Sequence, residues 1–181
     1  MDYSKYYNLE EYLFKEITKK FQNKGHIDAF DFFCIIIWKA NRAKTKIAKK
    51  LCAISNSNDL NHICIKITSE IFNITSNNNK LKNLLTKWKF RLPMASAILT
   101  VLYPDEFTVY DIRVCTILQK YHDLSYKTKV DEVIKGYFEF LEDVRKKLPE
   151  KSDLRDKDKY LWGKSFYEDL CKDIEYGFER H

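Results

Sequence analysis

The sequence predicts an all-α domain, and its length, its shortage of turn residues and its helical hydrophobic periodicity all favour that prediction. The 181 residues suit one domain with a sizeable buried core. Hydrophobic residues make up 45% of the chain, too many for a disordered protein, and four glycines with three prolines are too few for an all-β protein of this size. We therefore predict a compact bundle of about eight helices, with residues 1–181 forming one domain.

The first two helices are predicted from an amphipathic stripe and a cap. Apolar residues at helical spacing define the first helix: Leu9, Tyr12, Leu13, Ile17 and Phe21. Gly25 follows at the point where this helix should end. Asp28 or Asp31 can cap the next helix, which carries the longest apolar run, residues 32–38. Both helices are expected to bury one face in the core.

The middle of the chain alternates basic, polar and helical segments. Residues 39–50 hold six lysines and arginines and no acid, and residues 55–58 predict a turn. Apolar spacing predicts a helix over residues 60–71. The asparagine-rich residues 76–79 predict a second loop, and residues 80–88 another helix.

The second half contains three further helices. Residues 94–102 form a small-residue helix that should pack closely against a neighbour and end before Pro104, because the residue preceding proline resists the α conformation. An extended piece, residues 107–110, leads to a long amphipathic helix over residues 130–148. Residues 149–153 are predicted to link it to a last helix, which is marked by apolar positions: Phe166, Leu170, Cys171, Ile174 and Phe178.

Several classes of protein are disfavoured by composition. No apolar run approaches the roughly 18–20 residues of a membrane span, and the first residues show no signal pattern, so we expect a cytoplasmic protein that does not enter a membrane. Five widely spaced cysteines without a Cys-x-x-Cys pair argue against a disulfide framework and a metal centre: Cys34, Cys52, Cys64, Cys115 and Cys171. We expect them to be buried, and we expect no cofactor.

The charge is distributed unevenly along the chain. Residues 32–104 contain 12 lysines and arginines against two acids, a net charge of +10, whereas residues 1–31 and 105–181 carry −1 and −3. A basic centre beside nearly neutral flanks favours a face for a polyanion. A genome of biased nucleotide composition would explain a chain rich in lysine, asparagine and isoleucine, but it would not explain the missing acids.

One segment carries a specific resemblance. Residues 91–114 read RLPMASAILTVLYPDEFTVYDIRV, in which the small-residue run of residues 95–99 precedes Val109, Tyr110 and Asp111. This pattern, together with its spacing, resembles the helix-hairpin-helix (HhH-GPD) superfamily of base-excision DNA glycosylases over residues 89–114. The resemblance implies that this protein is a divergent member, with an all-helical fold and DNA as its partner.

The resemblance also implies site residues. Asp111 stands where those enzymes keep the catalytic carboxylate. Four cations would hold the DNA backbone: Lys87, Lys89, Arg91 and Arg113. A looser likeness to bacterial relatives covers Trp38-Lys39-x-x-Arg42 and the Asp-x-x-Leu-Trp pattern that ends at Trp162. On this basis the pocket for a flipped base would include Trp38, Lys39, Arg42, Tyr110 and Trp162.

The sequence departs from the family in two places that bear on mechanism. The glycines of the family's hairpin fall on Lys89 and Arg91, where cationic side chains could bind phosphate by charge instead. The lysine that forms a Schiff base in bifunctional members falls on Pro93. The four-cysteine cluster signature of some members is also absent. We therefore expect a monofunctional DNA N-glycosylase, a hydrolase that acts as a monomer on duplex DNA with a flipped base.

Other interpretations remain open. An aspartate after an extended piece is often only the N-cap of the next helix, which would give Asp111 a structural role. Trp38 lies on an apolar run and would more often be a core residue. The chain could then be a non-catalytic nucleic-acid-binding module on the same scaffold, or a helical protein-interaction domain.

Overall fold

The computed structural model describes residues 3–148 and 153–178, and the regular secondary structure in these ranges is entirely helical. The α-helices are, in chain order, α1 (Leu9–Tyr12), α2 (Thr18–Lys24), α3 (Ala29–Ala40), α4 (Lys44–Ser55), α5 (Leu60–Asn73), α6 (Asn77–Thr86), α7 (Leu92–Leu102), α8 (Ile112–Leu118), α9 (Val130–Lys147) and α10 (Leu154–Glu175). The prediction of a compact all-α bundle is confirmed.

The first predicted helix is continuous but contains one irregular turn. A π-helical turn, Leu13–Ile17, joins α1 to α2, and Leu13, Ile17 and Phe21 are fully buried. Gly25 ends α2 with a φ of 72°, a left-handed conformation that glycine adopts without steric cost. Asp28 caps α3, since its carboxylate accepts a hydrogen bond from the Asp31 amide at 3.0 Å.

Helix α7 lies at the centre of the bundle. Every residue of α7 except Pro93 is buried, and the helix packs against α3 and α6. Thr18 donates a hydrogen bond from its hydroxyl to the Val101 carbonyl at 2.6 Å, which ties α2 to the C-terminal end of α7. The helix ends at Tyr103, before Pro104, as predicted. The small side chains of α7 therefore allow the close approach of its neighbours.

The predicted loop over residues 76–79 is wrong. Helix α6 begins at Asn77, so the asparagines form its first turn instead of preceding it. The buried Lys80 ammonium explains why polar residues fit there, because it donates hydrogen bonds to the Asn77 side chain at 3.1 Å and to the Thr75 carbonyl at 3.2 Å. Of the predicted linker over residues 149–153, residues 149–152 lie outside the described residues, and Asp153 caps α10.

The last helix is confirmed, but the apolar positions that predicted it do not face the core. Helix α10 packs on α8 and α9 through a different face. Its buried residues are Leu154, Asp158, Leu161 and Ser165. The predicted stripe is exposed to solvent: Phe166, Leu170, Cys171, Ile174 and Phe178. The core contacts of α10 come from its N-terminal half. The apolar side chains nearer its C-terminal end lie at the surface.

The cysteines are free, as expected, but not all are buried. Cys34, Cys64 and Cys115 are buried, whereas Cys52 is partly exposed and Cys171 is exposed. In the described parts of the chain, no three histidine, cysteine or acidic side chains group closely enough to hold a metal ion. None of the described helices is both long and apolar enough to cross a membrane.

Candidate functional site

The segment between α7 and α8 places Asp111 against the N-terminal half of α7. The Tyr110 amide donates a hydrogen bond to the Ser96 hydroxyl at 2.9 Å, which anchors the extended backbone beside the second turn of α7. Asp111 then caps α8, since its Oδ1 accepts a hydrogen bond from the Arg113 amide at 3.1 Å. The N-cap interpretation of Asp111 is therefore correct as far as one of its two oxygens is concerned.

The second oxygen of Asp111 forms an ion pair with a lysine from a distant helix. Lys39, near the C-terminal end of α3, places its Nζ 2.5 Å from Oδ2. Only 16% of the Lys39 side chain and 20% of the Asp111 side chain are exposed, so solvent screens this pair weakly. The pair fixes the carboxylate at the edge of a cleft.

This cleft has a volume of about 510 Å³, which is in the range of roughly 300–1,000 Å³ that is common for small-ligand sites. Its lining comes from four parts of the chain: Glu10, Trp38, Lys39, Val109, Asp111, Arg155, Asp158, Lys159 and Trp162. Four residues singled out from the sequence thus lie in one cleft: Trp38, Lys39, Asp111 and Trp162. They come from helices that are far apart in sequence, so only the fold brings them together.

Two residues expected in the pocket do not line this cleft. Tyr110 is buried in the core, where its hydroxyl donates a hydrogen bond to the Tyr121 carbonyl at 2.7 Å. Successive side chains of an extended segment point to opposite sides, so Val109 and Asp111 face the cleft while Tyr110 faces inward. Arg42 is exposed on the 3₁₀ turn Asn41–Ala43 and is not among the lining residues.

A charged network in the cleft was missed from the sequence. The Arg155 guanidinium forms ion pairs with Asp158 and with Glu10, at 3.1 Å from the latter, and Lys159 lies 3.0 Å from the same Glu10 oxygen. The guanidinium also lies 5.1 Å from the Trp38 ring centroid. Asp158 and Lys159 belong to the Asp-x-x-Leu-Trp pattern, but nothing in the sequence singled out Glu10 or Arg155.

The two carboxyl groups of this network are shifted in opposite directions. Burial raises the pKa of Asp158 to about 6, although the charges of Arg155 and Lys39 oppose the shift. Burial also acts on Glu10, but the charges of Arg155 and Lys159 outweigh it and lower the pKa of that carboxyl. The raised pKa makes Asp158 easier to protonate than an ordinary aspartate, whereas the lowered pKa keeps Glu10 ionised near neutral pH.

Asp158 is expected to make the free energy of unfolding depend on pH. Its pKa rises from 3.8 to about 6 on folding, so the folded state binds the proton more tightly. The stability from this group is present in full below about pH 4 and is lost as the pH rises through about 6, a difference on the order of 2–3 kcal/mol. Asp158→Asn should remove this dependence, which urea unfolding at pH 5 and pH 8 measures. An identical pH dependence in both proteins would contradict the assignment.

A second feature, which we call the basic cluster, surrounds the loop between α6 and α7. It comprises Lys46, Lys50, Lys89 and Arg91. Lys50 donates a hydrogen bond to the Lys89 carbonyl, and burial together with the charges of Arg91, Lys46 and Lys89 lowers its pKa. Within the part of the chain that the structure describes, none of the four forms an ion pair with an acid. The cluster is therefore a concentration of uncompensated positive charge.

Two of the cations expected to bind DNA are already paired. Lys87 lies 2.6 Å from Glu70, which also accepts a hydrogen bond from the Trp88 indole at 3.1 Å. Arg113 lies 2.7 Å from Asp169, and its guanidinium is 5.4 Å from the Trp162 ring centroid. The side chains of Lys89 and Arg91 are exposed and form no ion pair with any described residue, so they are the stronger candidates for phosphate contacts.

A larger and more open groove, of about 780 Å³, lies between α6 and α9 and does not include the predicted site. Three of its four lysines are paired with acids, such as Lys82 with Asp131 at 2.9 Å and Lys120 with Asp143 at 3.3 Å. Exposed pairs of this kind are common on protein surfaces and contribute little. We therefore regard the cleft around Asp111 as the candidate site.

No family model matches the sequence, and comparison with curated proteins and with solved structures finds no significant match. The resemblance to DNA glycosylases therefore depends on the residues that carry it and on the arguments from chemistry that follow.

Proposed function

We propose that the protein binds DNA and removes a damaged or modified base by hydrolysis of its N-glycosidic bond, with Asp111 as the catalytic carboxylate. The observation that carries this proposal is the position of Asp111. Its carboxylate lies at the edge of a cleft lined by Trp38 and Trp162, where Lys39 holds it in place. A fixed carboxylate beside aromatic walls suits a reaction that develops positive charge on a sugar.

Hydrolysis of an N-glycosidic bond passes through a transition state in which the sugar carries positive charge. A carboxylate that is fixed in a partly enclosed cleft stabilises that charge, or it activates the attacking water. The ion pair with Lys39 orients the carboxylate before the substrate arrives. The bond from Oδ1 to the Arg113 amide has the same effect, because it fixes the side chain on a helix end.

The target base must leave the duplex to reach such a site. Enzymes that act on bases usually stack the flipped base against aromatic side chains. Trp38 and Trp162 provide aromatic surface in the cleft, and 42% of the Trp162 side chain is exposed. The charged network of Glu10, Arg155 and Lys159 offers hydrogen-bonding groups for the edge of the base.

The basic cluster supports a DNA backbone contact at the same end of the molecule. Ser96 touches the backbone beside Asp111, and the N-terminus of α7 at Leu92 lies about 6 Å from Ser96 along the helix. In the described chain, no acceptor is found for the backbone amides of Lys89, Arg91 and Leu92. Unpaired amides at a helix N-terminus beside uncompensated cations suit a phosphate.

The backbone at Lys89 adds to this support. Lys89 stands where the resemblance places a hairpin glycine, and its φ of 56° is the left-handed conformation that favours glycine. The local backbone is thus of the glycine type although the side chain is not. A phosphate there would meet both the amides and the lysine charge.

The experiment that tests the proposal is a panel of duplexes, each containing one damaged or modified base, scored for abasic sites. Release of one base from one duplex, with none from undamaged DNA, would support a glycosylase. Binding without release from any duplex would favour the second candidate below. Absence of salt-dependent DNA binding would contradict both and favour a helical protein-interaction domain.

The second candidate is a nucleic-acid-binding module without catalysis, and one observation favours it. Both oxygens of Asp111 are engaged, one with the Arg113 amide and the other with Lys39. A carboxylate with two partners can serve structure alone. The basic cluster would bind DNA in the same way in either case, so only base release separates the two candidates.

If base release occurs, we expect it to be monofunctional, so that abasic sites accumulate and the strand breaks only after alkali or heat. A bifunctional enzyme attacks the sugar with a free amine. Pro93, at the position of the family's lysine, has no amine, and Lys39 in the cleft is held by Asp111. The measurement is borohydride trapping on substrate DNA beside a gel without alkaline treatment. A covalent adduct that disappears in Lys39→Met or Lys89→Ala would contradict the prediction and identify the nucleophile.

A further inference from the structure

The outward face of α10 carries a row of apolar residues with the spacing of a coiled coil. The row consists of Tyr160, Gly163, Tyr167, Leu170 and Ile174, which follow one another at intervals of three and four residues. This is the a/d pattern of two helices that supercoil around each other. We call these five residues the α10 seam.

The α10 seam is exposed along its length. The exposed fractions of its four large side chains are 47% for Tyr160, 69% for Tyr167, 38% for Leu170 and 62% for Ile174. A Cβ added at Gly163 would meet nothing within 4 Å. The residues by which α10 packs on the bundle lie on its opposite face, so residues 3–148 and 153–178 of one copy leave this seam uncovered.

We propose that the α10 seam binds the α10 seam of a second copy, in an antiparallel homodimer. The seam is complementary to itself in size in one register. When Tyr167 lies opposite Leu170 of the second copy, Ile174 lies opposite the second copy's Gly163, so a large side chain meets a vacant position. The symmetry of a two-fold axis makes the same contacts twice.

The charges beside the seam fit the same register. It brings Lys159, which pairs with Glu10 of its own chain but has 51% of its side chain exposed, beside the second copy's Asp173 on one flank. It also brings the two copies of Cys171 together on the other flank. The half of α10 after Trp162 contains four acids and two lysines, which disfavours DNA as the occupant of this face. A second copy would cover the apolar row and would also place opposite charges beside each other.

The dimer should be weak and dependent on concentration. The exposed parts of the four large side chains amount to on the order of 400 Å² per copy, below the roughly 800 Å² per partner of a standard interface. The sequence analysis predicts a monomer, and the proposed dimer would overturn that prediction. It does not depend on the proposed function, because no residue of the α10 seam lines the cleft.

Sedimentation analysis over a range of micromolar concentrations tests the proposal. The unmodified chain should shift from monomer to dimer. Leu170→Glu should weaken the dimer by about tenfold or more, because it places a charge at the centre of the seam. Tyr126→Glu is the control, since Tyr126 is 83% exposed and lies outside the seam. A chain that is monomeric at every concentration, or a dimer insensitive to Leu170→Glu, would overturn the proposal.

Two further measurements test the register. A short bismaleimide should cross-link the unmodified dimer through Cys171, and Cys171→Ser should abolish the product while Cys52→Ser should not. Asp173→Lys should weaken the dimer several-fold, and Lys159→Asp in the same chain should restore it. In a parallel dimer these two positions are not opposite each other, so failure of the restoration would overturn the antiparallel arrangement.

Discussion

Asp111→Asn is expected to lower base release by between about a hundredfold and ten-thousandfold, with DNA affinity nearly unchanged. The substitution removes the charge that would stabilise the developing cation on the sugar, but it keeps the shape of the side chain. Asparagine caps helices about as well as aspartate, but the mostly buried Lys39 loses its ion-pair partner, so the free energy of unfolding should fall by on the order of 3 kcal/mol. Single-turnover release of the base identified by the duplex panel measures the effect.

The chain offers a matched control for this substitution. Asp28 also caps a helix with one oxygen, which accepts from the Asp31 amide, and forms an ion pair with the other, at 2.9 Å from Lys20. Asp28→Asn therefore makes the same chemical change away from the cleft. It should lower stability less, because Lys20 keeps its ion pair with the buried Asp31, and it should leave base release unchanged. Full turnover by Asp111→Asn, or equal losses from the two variants, would contradict the catalytic assignment and leave Asp111 with a structural role alone.

The all-α fold could be predicted because helical periodicity and the shortage of glycine and proline act through local geometry. The end of α2 at Gly25 was predicted for the same reason, and Asp28 was one of the two cap candidates, since both features depend on the few residues around them. The asparagine run at residues 76–79 was misread as a loop. Its fit into α6 depends on the buried Lys80, whose hydrogen bonds no local pattern shows.

The cleft could be predicted only in part. Residues that belong to local motifs were found, whereas contacts between residues far apart in sequence were not. Asp111 was found from a contiguous motif, and Trp38, Lys39 and Trp162 from looser patterns. Lys39 and Asp111 are 72 residues apart in sequence, and no local sequence pattern predicts that they pair. Tyr110 was misplaced for a simpler reason. The alternation of side chains along an extended segment predicts that it points away from its neighbour Asp111.

The basic central segment was identified from its net charge alone. The structure separates its cations into those that are paired with acids and those that are not, a distinction that net charge does not make. Lys87 is neutralised by Glu70, one of only two acids in that segment. Lys46 and Lys50 were counted in the charge but not selected, although α4 carries them to the loop of Lys89 and Arg91. A net charge shows that a polyanion is favoured, but only the fold shows which cations are free to meet it.

A triple substitution of Lys46, Lys89 and Arg91 to glutamine should therefore have a large effect on DNA binding. Each lost phosphate contact lowers the dependence of log affinity on log salt by about one, so the slope should fall by about three. Affinity at low salt should fall by on the order of a hundredfold for every DNA sequence alike, because phosphate contacts carry no sequence information. Lys50 is left in place because its hydrogen bond to the Lys89 carbonyl supports the loop. Fluorescence anisotropy over a series of salt concentrations measures both quantities.

The control is a triple substitution of the same charge on α9, with Lys135, Lys146 and Lys147 changed to glutamine. These lysines are exposed and stand among acids, such as Glu139 at 4.0 Å from Lys135, so little of their charge is uncompensated. The slope of log affinity against log salt should then change by less than about one, because these lysines would release few of the counterions condensed on DNA. Equal losses from the two triple variants would mean that DNA is held by diffuse positive charge. The loop between α6 and α7 would then have no special role, and the link between the basic cluster and the cleft at Asp111 would fail with it.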